Sequence, residues 1–285
     1  MKCLIKLGGA AITAKSENSF KLETETIANA LANIRDALRQ RSDTQIIVVC
    51  GVGPFGHTNV VRHNLRHGVK TPEQMAGLKE TLAACRSVAQ HVIDAASALG
   101  VSAVLVSGEL IAKQAHGAIT HFDTLPFENA LAANKIPVIY GTMVPDSVLG
   151  HSVMSGDESI AQLAKWWRPD LILLGSNVDG IYTKDPVAHP DSAELIPRID
   201  GSNLAHVLDN SLSGSSAAVD VTGGMKGKIE KLVDTVGDAS AIVFRLDSCS
   251  NRLFDGLVRG HIGGSTFIQM THTSEGQDAN MSDSV

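Results

Sequence analysis

Two lysines flank a glycine turn near the start of the chain, in the segment Lys6-Leu7-Gly8-Gly9-Ala10-Ala11-Ile12-Thr13-Ala14-Lys15. A short apolar run leads into the glycines, so the segment reads as a strand that empties into a tight loop. Glycine lets backbone N–H groups come close to a ligand and form an anion-binding concavity, and each lysine adds a point charge suited to phosphate oxygens. Taken alone, the segment is equally a strand-to-loop turn with surface lysines.

A second glycine loop, Gly51-Val52-Gly53-Pro54-Phe55-Gly56-His57, follows the apolar run Gln45–Cys50. Ligands of open α/β sheets sit at the carboxyl ends of strands, where this loop falls. Gly51, Gly53 and Gly56 have G-x-G-x-x-G spacing, but Pro54 stands where the helix should begin. No acidic residue closes a strand about twenty positions on, where a ribose partner belongs; Lys70 and Thr71 occupy that region. His57, next to Gly56, is read as facing a ligand rather than a core. The stretch holding Arg62, His63, Arg66, His67 and Lys70 is either a solvated face or, beside such a loop, a lure for an anionic substrate.

Three later segments have the same flavour. Ser155-Gly156-Asp157 opens a helical pattern in which Asp157 is the expected N-cap, a carboxylate that can also order a lysine or a metal. Asp179-Gly180 and Asp185-Pro186 are turn signals after the apolar run Leu171–Leu174. In Asp220-Val221-Thr222-Gly223-Gly224-Met225-Lys226-Gly227-Lys228, a glycine pair opens an amphipathic helix. Its first N–H groups, with Lys228, suit a polyphosphate, although the Walker A spacing is absent.

These segments must be held by a scaffold. The chain has 285 residues, 44% hydrophobic, 19% charged and 4% aromatic, so its core is aliphatic and globular. Short apolar runs at Cys3–Leu7, Gln45–Cys50, Ser102–Val106, Pro137–Tyr140, Leu171–Gly175 and Ala241–Arg245 predict buried strands. Helical spacing joins Ile27 to Leu38, Ile160 to Trp167 and Met225 to Val236. The alternation predicts an α/β fold with a mainly parallel sheet covered on both faces, in one domain without a linker. Residues 271–285 have no apolar periodicity and are expected to form a frayed tail. The net charge of −6 argues against general nucleic-acid binding, and no run is apolar and long enough to cross a membrane or serve as a signal peptide. Four cysteines without metal spacing or a disulfide pattern suit a reducing cytoplasm.

With all these segments in order, the sequence resembles the amino acid kinase superfamily, and within it the isopentenyl phosphate kinase-like branch, which also includes fosfomycin kinases. The resemblance rests on Lys6-Leu7-Gly8-Gly9 with Ile12-Thr13 and Lys15, Phe55-Gly56-His57, Ser155-Gly156-Asp157, Val178-Asp179-Gly180-Ile181-Tyr182, and Asp220 with Thr222-Gly223-Gly224-Met225 and Lys228. It spans the chain to about residue 270 and implies a three-layer α/β/α sandwich. An acceptor lobe would occupy about residues 1–150 and an ATP lobe about 151–270.

Carried over by resemblance, Lys6 and Lys15 bracket the transferring phosphoryl group, and Gly8 and Gly9 donate backbone hydrogen bonds to it. His57 holds the acceptor's phosphate, with Gly51, Gly53, Gly56, Ser155 and Gly156 around the acceptor. Asp157 orients a catalytic lysine. Lys6, Gly8, Gly9, Asp179, Gly180, Gly223, Gly224 and Lys228 lie at ATP, which binds with Mg²⁺; no protein metal ligand is implied.

The family's loop normally reads close to HGGGSFGH, so Val52 adds a side chain and Pro54 removes an N–H. Thr142 follows Gly141 where the family commonly has Asp, and Ser176-Asn177 stand where it commonly has Thr-Asp. The implied activity is ATP-dependent phosphorylation of a small monophosphate, isopentenyl phosphate first. A fosfomycin kinase and a nucleotide-binding regulator with weakened turnover are the alternatives. The expected partner is a small anionic phosphate or phosphonate, without nucleic acid or membrane, and the expected assembly is a homodimer.

Overall fold

The computed structural model describes residues 1–15, 20–210 and 224–270. In chain order the strands are β1 (Lys2–Leu7), β2 (Thr13–Lys15), β3 (Phe20–Leu22), β4 (Gln45–Cys50), β5 (Ala103–Leu105), β6 (Ala112–Ala115), β7 (Ala118–Phe122), β8 (Ile136–Tyr140), β9 (Thr142–Asp146), β10 (Gly150–Met154), β11 (Leu171–Ser176), β12 (Arg198–Ile199), β13 (Ser240–Arg245) and β14 (Thr266–Gln269). The helices are α1 (Gly9–Ile12), α2 (Thr24–Gln40), α3 (Pro54–Arg62), α4 (Pro72–Ala98), α5 (Gly108–Ile111), α6 (Leu125–Ala132), α7 (Gly156–Trp167), α8 (Leu204–Asn210), α9 (Gly224–Val236) and α10 (Arg252–Arg259).

All six strands expected from the sequence lie in one eight-stranded sheet of order β12-β14-β13-β11-β1-β4-β8-β5. Its pairings are parallel except β13 with β14. Strands covered on both faces must be apolar throughout, as β4 is from Ile46 to Cys50.

Successive side chains along a strand point to opposite faces. Cys3, Ile5 and Leu7 of β1 therefore join one core with Ile27, Ile34, Val88, Val92 and Leu257, under α2, α4 and α10. Leu4 joins the other core with Leu163, Trp167 and Ile229, under α7 and α9. Each fully buried leucine or isoleucine contributes about 1.5–3 kcal/mol. The result is the expected three-layer α/β/α sandwich. The same alternation sends Lys6 to the α7 face.

The sequence did not foretell a smaller sheet of order β10-β9-β6-β7 beyond β8. Buried Asp146 anchors it, accepting hydrogen bonds from the N–H groups of His116 (3.1 Å), Gly117 (2.7 Å), Val148 (2.9 Å) and Leu149 (2.9 Å) and from Ser152 Oγ (2.7 Å). These donors hold its carboxyl well below the usual carboxylate range despite burial. The other unforeseen element is α4, 27 residues long, which starts in a capping box between Thr71 and Gln74 with Pro72 in the first turn. The four cysteines are unpaired, and burial pushes the Cys50 and Cys85 thiols up to about 12. Among the described residues, no helix is long and apolar enough to cross a membrane. The tail 271–285 lies outside the described residues.

Candidate active site

The loops after β1, β4, β8 and β11 meet at the carboxyl edge of the sheet. Gly8 N donates to Gly175 O (2.9 Å), Gly51 N to Leu7 O (2.8 Å) and Gly141 N to Cys50 O (3.1 Å). The two glycine loops pack backbone against backbone: a Cβ on Gly8 would strike the Gly175 carbonyl, and one on Gly51 would strike Gly9 N. These glycines are required by close approach, and because the Gly8 N–H is spent on Gly175 O, the expectation that it donates to the transferring phosphoryl group is corrected.

Gly53 has φ +48° and ψ −135°, a conformation open essentially to glycine, and is the N-cap of α3. This places Pro54 in the first turn, where a missing N–H costs nothing and a fixed φ favours the helix. Pro54, read from the sequence as an objection to a dinucleotide fingerprint, is thus accommodated at the helix start. Val52 is turned away from the loop's open side as well. It is 8% exposed and packs in the core, where a Cβ on Gly56 would lie 2.7 Å from its Cγ2.

Lys6 Nζ forms an ion pair with Asp157 Oδ1, the lysine 21% and the aspartate 64% exposed. The expected N-cap is corrected here. Ser155 caps α7, its Oγ accepting from Glu158 N at 3.1 Å, and Gly156 follows. Asp157 is thereby released from the backbone to hold the lysine, within the first turn where a carboxylate also meets the favourable end of the helix dipole. Gly156 lies close to the same lysine, the position of a Cβ there being 4.0 Å from Lys6 Cε.

His57 is exposed on the first turn of α3, its N–H bonded to Gly53 O at 3.1 Å. The basic stretch beyond divides. Arg62 and His63 reach Glu80 of α4 at 3.1 and 3.0 Å, while Leu65 is fully buried. Arg66, His67 and Lys70 are exposed, as is the paired Arg62.

On the other side of β1, both Asp179 oxygens are engaged. Arg245 reaches them through Nε and a terminal nitrogen, each at 3.1 Å, and Arg252 through its terminal nitrogen at 2.7 Å. Hydrogen bonds from Arg245, then from Arg252, hold the carboxyl down to about 2. Gly180 is demanded by packing, since a Cβ would strike Thr266 Oγ1. Sequence reading missed both arginines. They come from a strand end and a helix start 66 and 73 residues away, and no local pattern marks them.

The structure thus brings Lys6, Gly8, Gly9, Gly51, Gly53, Gly56, His57, Ser155, Gly156 and Asp157 to one edge. The backbone of Lys15 ends β2, and Gly224 and Lys228 stand in the first turns of α9. The side chains of Lys15 and Lys228, and all of Asp220, Thr222 and Gly223, lie outside the described residues.

The model of the amino acid kinase family matches residues 1–245. The isopentenyl phosphate kinase of Methanothermobacter thermautotrophicus is 31% identical over 236 residues, 81% of this chain and 85% of that protein. The isopentenyl phosphate kinase of Arabidopsis thaliana is 25% identical, covering 92% of both chains. A crystal structure of isopentenyl phosphate kinase superposes with a TM-score of 0.77 at 25% identity, over 94% of this chain and all of that one. A match of this extent, on a sheet edge furnished with paired glycine loops and an oriented lysine, settles the family: the chain belongs to the amino acid kinase family, in its isopentenyl phosphate kinase-like branch, and is an ATP-dependent phosphotransferase.

Proposed function

We propose that the protein transfers the γ-phosphoryl group of ATP to the phosphate of a small organic monophosphate, with isopentenyl phosphate becoming isopentenyl diphosphate. The ion pair of Lys6 with Asp157, set over the two glycine loops, is the observation that carries this reading. A phosphate oxygen is already a competent nucleophile at neutral pH, so the reaction needs no general base. It needs two anions brought into line and their charge offset, which is work for lysines and backbone N–H groups. Asp157 holds the Lys6 ammonium in one place, His57 grips the acceptor's phosphate, and Lys15 and Lys228 add charge at the transferring group and the ATP phosphates. About residues 1–150 act on the acceptor and about 151–270 on the nucleotide.

Mg²⁺ bound to the nucleotide phosphates would neutralise charge on them. Among the described residues no group of three or more His, Cys, Asp or Glu could cage an ion, and Asp157 is taken by Lys6. Such a donor set fits an ion held chiefly by phosphate and water, Mg²⁺'s usual habit.

The test is ADP release with Mg·ATP and a panel of isopentenyl phosphate, dimethylallyl phosphate, fosfomycin and UMP. Turnover of isopentenyl phosphate is expected. Turnover of fosfomycin or UMP alone would overturn the choice of acceptor.

A further inference from the structure

His57 rides on the first turn of α3, and α3 packs against α4 through glycine at both of its ends. At its start, Gly56 sits over Cys85 of α4, whose Sγ lies 3.3 Å from where a Cβ on Gly56 would be. At its other end, the C-cap His63 lies on Gly77 of α4, where a Cβ would come within 2.4 Å of the imidazole Cγ. The order of these contacts makes the two helices antiparallel. Between them α3 has little to hold it. Its buried residues are Gly56 and Asn59, neither with an apolar side chain, and Asn59 Nδ2 turns back to Phe55 O at 2.9 Å. Phe55 and Val60 are only partly buried.

Glu80, one turn along α4 from Gly77, faces the far end of α3. Its Oε1 accepts from Arg62 Nη1 at 3.1 Å, and its Oε2 lies 3.0 Å from His63 Nε2. The Arg62 side chain is largely solvated, whereas that of His63 is 19% exposed. His63 Nε2 is buried and forms no aligned hydrogen bond among the described residues, so the nearby carboxylate is what compensates its burial. The connection between the helices is fixed as well. Gln74, in the first turn of α4, donates through Nε2 to Asn64 O at 2.7 Å and accepts through Oε1 from Lys70 N at 2.8 Å. The end of α3 therefore has a set place to dock, and Glu80 is the charge that holds it there.

We infer that Glu80 is a positioning residue for the acceptor: by holding Arg62 and His63 it fixes the far end of α3, and so aims His57 at the acceptor's phosphate. This rests on the phosphate-acceptor reading above, in which His57 makes that contact. About 9 Å of helix separates His57 from His63. Without the carboxylate, His63 Nε2 would be left buried beside no countercharge, a penalty relieved when the ring leaves its seat on Gly77. A short helix held at one end alone can tilt and roll about that end, which re-aims the histidine. A misplacement of about 1 Å is enough to lower a rate many-fold. The Arg62–Glu80 pair itself adds little to stability, because both side chains are half-exposed or more. The effect of Glu80 is therefore on alignment rather than on melting.

The test is a double-mutant cycle of Glu80→Ala with His57→Ala, on the full chain with Mg·ATP and isopentenyl phosphate. Glu80→Ala should lower kcat/KM for the acceptor by ~5-fold or more, with KM for ATP and the thermal midpoint close to the parent. In the His57→Ala background the same substitution should lower it no further, because Glu80 acts through His57. Glu80→Gln, whose carbonyl oxygen still accepts from Arg62, should recover part of the loss. If Glu80→Ala melts well below the parent, the cycle is read with Arg62→Ala, which removes one arm of the brace from a solvated position and should give a smaller loss that also vanishes without His57. Unchanged acceptor kcat/KM, or an equal fold-loss with and without His57, overturns the positioning role and spares the kinase reading. A matching rise in KM for ATP does the same, since it marks a general loosening of the fold. Parent-like turnover in His57→Ala overturns the phosphate-gripping reading and this inference together.

Discussion

Lys6 and Asp157 stand 151 residues apart in the chain and meet as an ion pair, the lysine at the end of β1 and the aspartate on the first turn of α7. Strand alternation turns Lys6 toward α7, and Ser155 takes the capping duty that would otherwise occupy the aspartate. Lys6→Met should lower kcat by ~100-fold or more while changing KM for ATP only a few-fold, because the charge serves the transition state. Asp157→Asn should lower kcat less, since the lysine remains. Steady-state kinetics with ATP varied at saturating acceptor checks both, and near-normal kcat in Lys6→Met would remove this lysine from the chemistry.

His57 is exposed on the first turn of α3. His57→Ala should therefore lower kcat/KM for the acceptor by ~100-fold or more, through loss of a positioned contact, with KM for ATP and the thermal midpoint close to the parent. A variant that unfolds, or that turns over acceptor normally, excludes the phosphate-gripping role.

Lys228 lies in the opening turns of α9, where N–H groups and partial positive charge favour polyphosphate. Lys228→Ala should raise KM for ATP and leave acceptor KM nearly unchanged. The reverse pattern in a two-substrate kinetic matrix would assign it to the acceptor.

Asp179 titrates at about 2 in the fold, below its ordinary 3.8, because Arg245 and Arg252 bind its charged form. A depressed carboxyl contributes stability that is complete above the unfolded value and is lost as pH falls through the folded one, here between about pH 4 and pH 2. Allowing for solvent screening, that contribution is on the order of 1–2 kcal/mol. Urea unfolding at pH 5 and pH 2.5 should show Asp179→Asn destabilised at pH 5 and closer to the parent at pH 2.5. An equal deficit at both values would mean that the arginine pairing adds nothing.

Gly51→Ala would drive a Cβ into the backbone of Gly9, which has no flexible end to yield. The variant should lose both thermal stability and turnover. Turnover lost at an unchanged melting temperature would show that the loops can separate without unfolding the chain.

The central sheet is legible in the sequence because its strands are buried on both faces, so that runs such as Ile46–Cys50 must be apolar without interruption. The glycine loops are legible for a related reason: where two backbones touch, only glycine fits, and glycine pairs at strand ends announce it. Asp157 is different. Ser155 and Asp157 are both good capping residues two positions apart, and the choice between them depends on where α7 starts. Only tertiary packing fixes that start, with Gly156 seated close to Lys6 and β4. The small sheet was hidden because strands such as Ala112–Ala115 have little apolar alternation. They are held by Asp146, which gathers N–H groups from two turns about 30 residues apart in sequence. Asp179 likewise reads locally as half of a turn, and its two arginines reach it only when β13 and α10 are in place. Local patterns therefore determined the scaffold and the glycine loops, whose requirements are short-range and steric. The folded chain alone decided which charge meets which, because an ion pair depends on distance in space and leaves no periodic trace along the sequence.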